Sequence, residues 1–208
     1  MESKNHKIIH DFINDNEVKE ILKWVNHIDH ALTTDYHHMV EIGKVLKGSS
    51  HMYDISKTEL TKKVSNKQSG DDVMDENLPQ IFFDLIERIS KFLDIPTDNV
   101  YLQIVDMDNG GTIKAHYDIG VSGYVNFKAN ISVLSENYEL NVDKDIFNIK
   151  ERDLYCFEAS LYKHWTEKKF NSRRILLSYG FLIPYKILGR SENDPRVRLS
   201  KRIEKYIQ

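Results

Sequence analysis

Residues 125–133 read VNFKANISV. Val125, Phe127, Ala129, Ile131 and Val133 fall on one parity, and Asn126, Lys128, Asn130 and Ser132 on the other. Strand side chains point alternately to opposite faces, so strict alternation predicts a strand with one face in a core. The same period continues on both sides. Residues 100–107 (VYLQIVDM), 153–158 (DLYCFE) and 174–183 (RILLSYGFLI) read as strands, and DNGG at 108–111 as a turn before a strand over 112–119. Towards the N-terminus the spacing becomes helical. Val18, Ile21, Leu22, Val25 and Ile28 follow Asn14, which forms an N-x-x-E capping box with Glu17. A second helix follows Asn77, with Phe82, Leu85, Ile86, Ile89 and Phe92 on one face, until DIPTDN breaks it. Residues 30–70 are polar and predict loops with one or two strands. Pro195 behind Asp194 opens a C-terminal helix with a basic face of Arg196, Arg198, Lys201, Arg202 and Lys205. Helices first and antiparallel strands after predict an α+β chain, mainly β, whose working half is a sandwich or barrel.

The bulk properties narrow the function classes. A chain of 208 residues suits one domain with a core of its own. A formal charge of −3 supplies no global field for nucleic acid. Cys156 is the only cysteine, which excludes an intramolecular disulfide and a thiolate zinc cage. No apolar run reaches membrane-span length and the N-terminus has no signal-peptide core, so the expectation is a cytoplasmic protein with no membrane partner.

One short motif stands out. In KAHYDIG (114–120), a strand would put His116 and Asp118 on one face and Tyr117 on the other. His164 is the one histidine beyond them. Two imidazoles and one carboxylate form a facial triad, which leaves metal positions open for other ligands. On the last strand, Arg174 and Ser178 share a face, with Arg173 on the other. Arg174 has apolar neighbours, and a buried guanidinium calls for an anion. A ligand carboxylate is one partner; Glu158 or Asp153 is the structural alternative. His37 and His38, adjacent in sequence, read as solvated, and Cys156 as a core residue.

His116-x-Asp118, the distal His164, then Arg174 with Ser178 resemble the pattern of the Fe(II)/2-oxoglutarate-dependent dioxygenases, the broad group that includes prolyl hydroxylases and alkylated-nucleic-acid demethylases. The likeness spans about residues 100–184, with Gly110 and Gly111 before the motif. It implies a double-stranded β-helix, a cupin-like jelly roll, buttressed by N-terminal helices and followed by a C-terminal helix. On that reading residues 99–184 are the catalytic core, 1–98 the helical support with a possible substrate lid in 30–76, and 185–208 the tail. The resemblance implies that His116, Asp118 and His164 bind Fe(II) and carry catalysis. It gives Arg174, helped by Ser178, the distal carboxylate of 2-oxoglutarate. Asn130 shares a face with Lys128 and is a further candidate for cosubstrate contact, and Lys128 is a rival anchor to Arg174. The implied reaction uses O₂ and 2-oxoglutarate to hydroxylate a small molecule or protein side chain, with succinate and CO₂ as co-products. Asp118, a carboxylate where related halogenases carry a small residue, favours hydroxylation.

Two departures keep the subfamily open. The demethylases carry a second arginine where this chain has Gly180. A tyrosine common on the strand before the motif is absent from QIVDMD, which offers Gln103, Asp106 and Met107. A nucleic-acid demethylase and a non-catalytic jelly-roll binding module are the alternatives. Oligomeric state has no sequence signature here.

Overall fold

The structure is a computed structural model and describes residues 6–27, 48–69, 78–107, 113–166 and 171–198. Among these, nine strands and three helices follow in the order β1 (Lys7–Ile9), α1 (Asp15–Val25), β2 (Gly48–Asp54), α2 (Glu59–Ser69), α3 (Gln80–Leu93), β3 (Val100–Met107), β4 (Tyr124–Leu134), β5 (Tyr138–Val142), β6 (Asp145–Ile149), β7 (Leu154–Glu158), β8 (His164–Thr166) and β9 (Arg174–Pro184). The strands form a six-stranded sheet in the order β1-β7-β4-β9-β3-β2 and a three-stranded sheet in the order β6-β5-β8, with every pairing antiparallel. Strands close in space but distant in sequence, as in β4-β9-β3, are the mark of a jelly roll. The chain has that fold.

The large sheet is buried on both sides. Its outer face carries Leu102 and Ile104 of β3, Phe127, Ala129 and Ile131 of β4, and Leu177, Tyr179 and Phe181 of β9, and packs against Ile21 and Val25 of α1 and Phe82, Leu85 and Ile89 of α3. The alternation of residues 125–133 therefore faces a helical layer. The opposite face is not solvated: Asn126, Lys128, Asn130 and Ser132 are all buried, because it looks into the barrel. There it meets Tyr138, Leu140 and Val142 of the small sheet. Val125 is the exception in the apolar series and joins this inner cluster. Val64 of α2 closes one end of the barrel with Met52, Tyr101, Val121 and Leu182.

Local chemistry explains the helices. Asn14 Oδ1 accepts from the Asn16 and Glu17 amides at 2.9 and 3.1 Å, and Glu17 Oε2 accepts from the Asn14 amide at 2.8 Å, closing the capping box. Arg88 then bonds Glu17 at 2.8 Å and lies 4.5 Å over Phe12, tying α3 to α1. Asp94 ends α3 in the left-handed region with φ of 54°.

Several expectations are corrected. Residues 113–120 are irregular, with one isolated bridge between His116 and His164, where a strand over 112–119 was predicted; 108–112 lie outside the described residues. Phe92 is half exposed, and Leu93 rather than Phe92 carries the core contact in the last turn of α3. Within 30–70, the described part holds one strand and the helix α2, whose polar sequence hides it. Ile28, His37 and His38, the Asn77 start of α3, and the C-terminal helix beyond Arg198 lie outside the described residues, though 195–198 are helical. No helix among the described residues is long and apolar enough to cross a membrane.

Candidate metal and anion site

Two anchors bring the motif to the barrel mouth. The His116 amide donates to the His164 carbonyl at 3.1 Å and the His164 amide returns the bond at 2.9 Å. The Asp118 amide donates to the Ala159 carbonyl at 3.0 Å. This segment is thus a one-bridge extension of the small sheet beside β8. The side-by-side placement of His116 and Asp118 comes from those anchors rather than from strand alternation.

Asp118 Oδ1 lies 3.3 Å from His116 Nε2 and 3.5 Å from His164 Nε2. One ligand atom from each residue falls within 4.8 Å of the others. A metal with bonds of roughly 2.0–2.2 Å holds neighbouring donors about 3 Å apart, so the three donors fit one ion with little movement. Among the described residues this is the one cluster of its kind. Each imidazole is oriented through its other nitrogen: His116 Nδ1 meets the Lys114 carbonyl at 2.7 Å and His164 Nδ1 the Tyr162 carbonyl at 3.1 Å. Donation from Nδ1–H to a carbonyl leaves the Nε2 side of each ring available to an ion.

The charges around the cluster are organised. Lys128 Nζ lies 3.6 Å from the outer oxygen of Asp118, Oδ2, and 4.6 Å above the Tyr101 ring. Burial opposes the ionisation of Asp118, but Lys128, His116 and His164 outweigh it and hold the carboxyl well below its usual range. Burial also disfavours protonated His116, yet Asp118 and the Lys114 carbonyl raise its pKa above the ordinary value. Gly180 pairs with both Tyr101 and Lys128 across the sheet. A Cβ on Gly180 would overlap the Tyr101 ring. The position where demethylases carry a second arginine is thus occupied by that ring, with Lys128 supplying a cation from the neighbouring strand.

Arg174 is 1% exposed. Its Nη2 donates to the Tyr138 hydroxyl at 2.7 Å and to the Tyr155 hydroxyl at 3.3 Å, and its guanidinium carbon lies 4.5 Å over the Tyr138 ring. Glu158 and Asp153, weighed above as its ion partners, engage other groups: Glu158 binds Arg190, and Asp153 Oδ2 lies 3.0 Å from His10 Nδ1. Arg173, on the opposite face, holds Asp106 at 2.8 Å through Nε. Gln103, Ser178 and Asn130 stand in register across β3, β9 and β4, and Tyr155 of β7 continues the row.

These residues line one cavity. Its walls include His116, Asp118 and His164 near the mouth, Arg174 deeper, and Lys128, Asn130 and Ser178 between. It encloses about 90 Å³, far above the roughly 10–15 Å³ that one water needs. Every candidate site residue from the sequence is thus in one place. Sequence reasoning missed Tyr138 and Tyr155. Tyr155 carried a signal, since it occupies the inward parity of its strand, but Tyr138 comes from the other sheet and only the fold delivers it.

No protein-family model matches the sequence, and no curated protein matches it. Solved structures do resemble the chain. A viral collagen prolyl hydroxylase from Paramecium Bursaria Chlorella virus-1, in its 2OG complex, aligns with a TM-score of 0.57 at 10% identity, over 86% of this chain and 97% of that one. A prolyl hydroxylase from Trichoplax adhaerens, in complex with a hypoxia-inducible-factor oxygen degradation domain peptide fragment, gives 0.54 at 12% identity over 88% and 86%. A prolyl-4-hydroxylase from Pseudomonas putida gives 0.53 at 10% identity over 86% and 92%. At such identities the likeness concerns the fold alone: this chain folds as the prolyl hydroxylases do.

Proposed function

We propose that the protein is an Fe(II)- and 2-oxoglutarate-dependent dioxygenase that hydroxylates a small molecule or a protein side chain. The observation that carries this reading is one cavity with a two-histidine, one-carboxylate donor set near its mouth and a buried guanidinium inside it. His116, Asp118 and His164 would hold the metal, which, when bound, supplies the oxygen chemistry that protein side chains lack.

The chain's own residues do the rest. Three protein ligands leave room for a bidentate cosubstrate and O₂. Arg174 offers a fork of donors to the far carboxylate of 2-oxoglutarate, and the Tyr138 and Tyr155 hydroxyls flank it. Ser178 and Asn130 line the path between that carboxylate and the metal end. Lys128 balances Asp118, so this partly buried carboxylate is not left uncompensated. Val105, Leu140, Phe157 and Leu176 add an apolar stretch to the wall. Two of the fold neighbours support the choice of ligands and of substrate class: one is a 2OG complex and another holds a peptide.

The test is succinate release from 2-oxoglutarate with Fe(II) and O₂, across pools of amino acids and of peptides. The expected result is succinate formation that Asp118→Ala abolishes. Equal turnover by Asp118→Ala removes the triad from the reaction, and no succinate from any pool favours a binding module.

A further inference from the structure

The loop between β7 and β8, residues 159–163, is the hanger of the metal site. Its Ala159 carbonyl holds the Asp118 amide, and its Tyr162 carbonyl faces His164 Nδ1 at 3.1 Å. Two of the three donor residues therefore take their orientation from five consecutive residues. Asn126 of β4 exchanges bonds with Ser160, and the Asp143 amide donates to the Lys163 carbonyl at 2.7 Å; the segment after β9 holds the remaining part of the loop, around Tyr162. Arg190 donates through Nε to Glu158 Oε1 at 2.9 Å, through Nη2 to Glu158 Oε2, and through Nη2 to the Tyr162 hydroxyl at 2.8 Å. Arg196 lies 4.1 Å over the Tyr162 ring, donates to the Leu161 carbonyl at 3.4 Å and bonds Asp143 at 2.7 Å. Val197 packs in the same cluster as Leu161 and Tyr162. From the other side the His6 ring meets Tyr162 edge-on at 4.6 Å.

We infer that Arg190 and Arg196 are positioning residues for the metal site, acting through the 159–163 loop, so that residues 185–198 belong functionally to the site. The inference rests on the triad reading above. Its physical basis is the strength of the clamp. Glu158 is fully buried, so its bond to Arg190 works in a low-dielectric setting. A guanidinium over an aromatic face fixes the Tyr162 ring, and the ring fixes the carbonyl that orients His164. Groups that orient metal ligands from outside typically control metal affinity by 10–100-fold.

The experiment is anaerobic Mn(II) titration of the full chain by calorimetry, with Co(II) visible spectra as a second readout and thermal melting of each variant. Arg196→Ala is expected to weaken Mn(II) binding by roughly tenfold or more at temperatures where it is fully folded, and to alter the Co(II) spectrum. Arg196→Lys, which retains a cation near Asp143 and Tyr162, is expected to recover part of the affinity. Arg190→Gln leaves the buried Glu158 carboxylate without this guanidinium and is the harsher variant; if it does not fold, Arg196→Ala decides. Arg152→Ala removes exposed ion pairs to Asp11 and Asp15, far from the loop, and is expected to leave Mn(II) affinity unchanged. Wild-type affinity and spectrum in Arg196→Ala, with or without a lower melting temperature, overturn the inference while the triad stands. If the unaltered chain binds no Mn(II), or Asp118→Ala binds it equally well, the triad reading falls and the inference falls with it.

Discussion

The two faces of the large sheet are built from the same strands and do opposite work. On β9, Ile175, Leu177, Tyr179 and Phe181 point outward to the helices, while Arg174, Leu176, Ser178 and Gly180 point into the barrel. Both faces are buried, so burial alone does not separate scaffold from site. Polarity does. The outer face is apolar and stabilises the fold by removing area from water. The inner face buries a guanidinium, an ammonium and a row of amide and hydroxyl groups, which costs stability unless each is matched. On the proposed function, the ligand supplies part of that matching.

That contrast can be broken or sharpened by substitutions on one strand. Leu177→Ala, on the outer face, is expected to cost roughly 2–5 kcal/mol of stability, read by denaturant unfolding, while the folded fraction still binds cosubstrate. Arg174→Met, three residues earlier in the chain on the inner face, is expected to leave the protein folded, since it removes the cost of burying a guanidinium and the Tyr138 and Tyr155 hydroxyls keep their own hydrogen bond at 3.0 Å. It is expected to weaken 2-oxoglutarate binding by about 2 kcal/mol, roughly thirtyfold, in an anaerobic titration. If Arg174→Met unfolds the protein while Leu177→Ala is silent, the division of labour is reversed.

The sequence already carried much of this. The period-two pattern of 125–133 and 174–183 needs only the local rule that side chains alternate, so those strands were readable. His116, Asp118 and His164 were readable as a set because few side-chain types can hold such a metal. Other features depend on contacts between residues remote in the chain. The 113–120 segment looks like a strand but pairs at one bridge only, because its amides are taken by β8 and by Ala159. Tyr138 reaches Arg174 from the opposite sheet. Lys128 was readable as an inward-facing cation, but its place beside Asp118 depends on how the motif segment crosses the mouth. The clamp was invisible: Arg196 belongs to a basic helix face, which ordinarily reads as solvated, and Arg190 meets Glu158 and Tyr162 across about thirty residues of chain.

On the proposed function, His116, Asp118 and His164 bind a metal to which 2-oxoglutarate adds in the same cavity. The most direct measurement is the visible spectrum of the anaerobic protein with Fe(II), before and after 2-oxoglutarate. The expected result is a weak charge-transfer band that appears only when both are present and is absent in Asp118→Ala. No band at saturating Fe(II) and 2-oxoglutarate, or an equal band in Asp118→Ala, would contradict it.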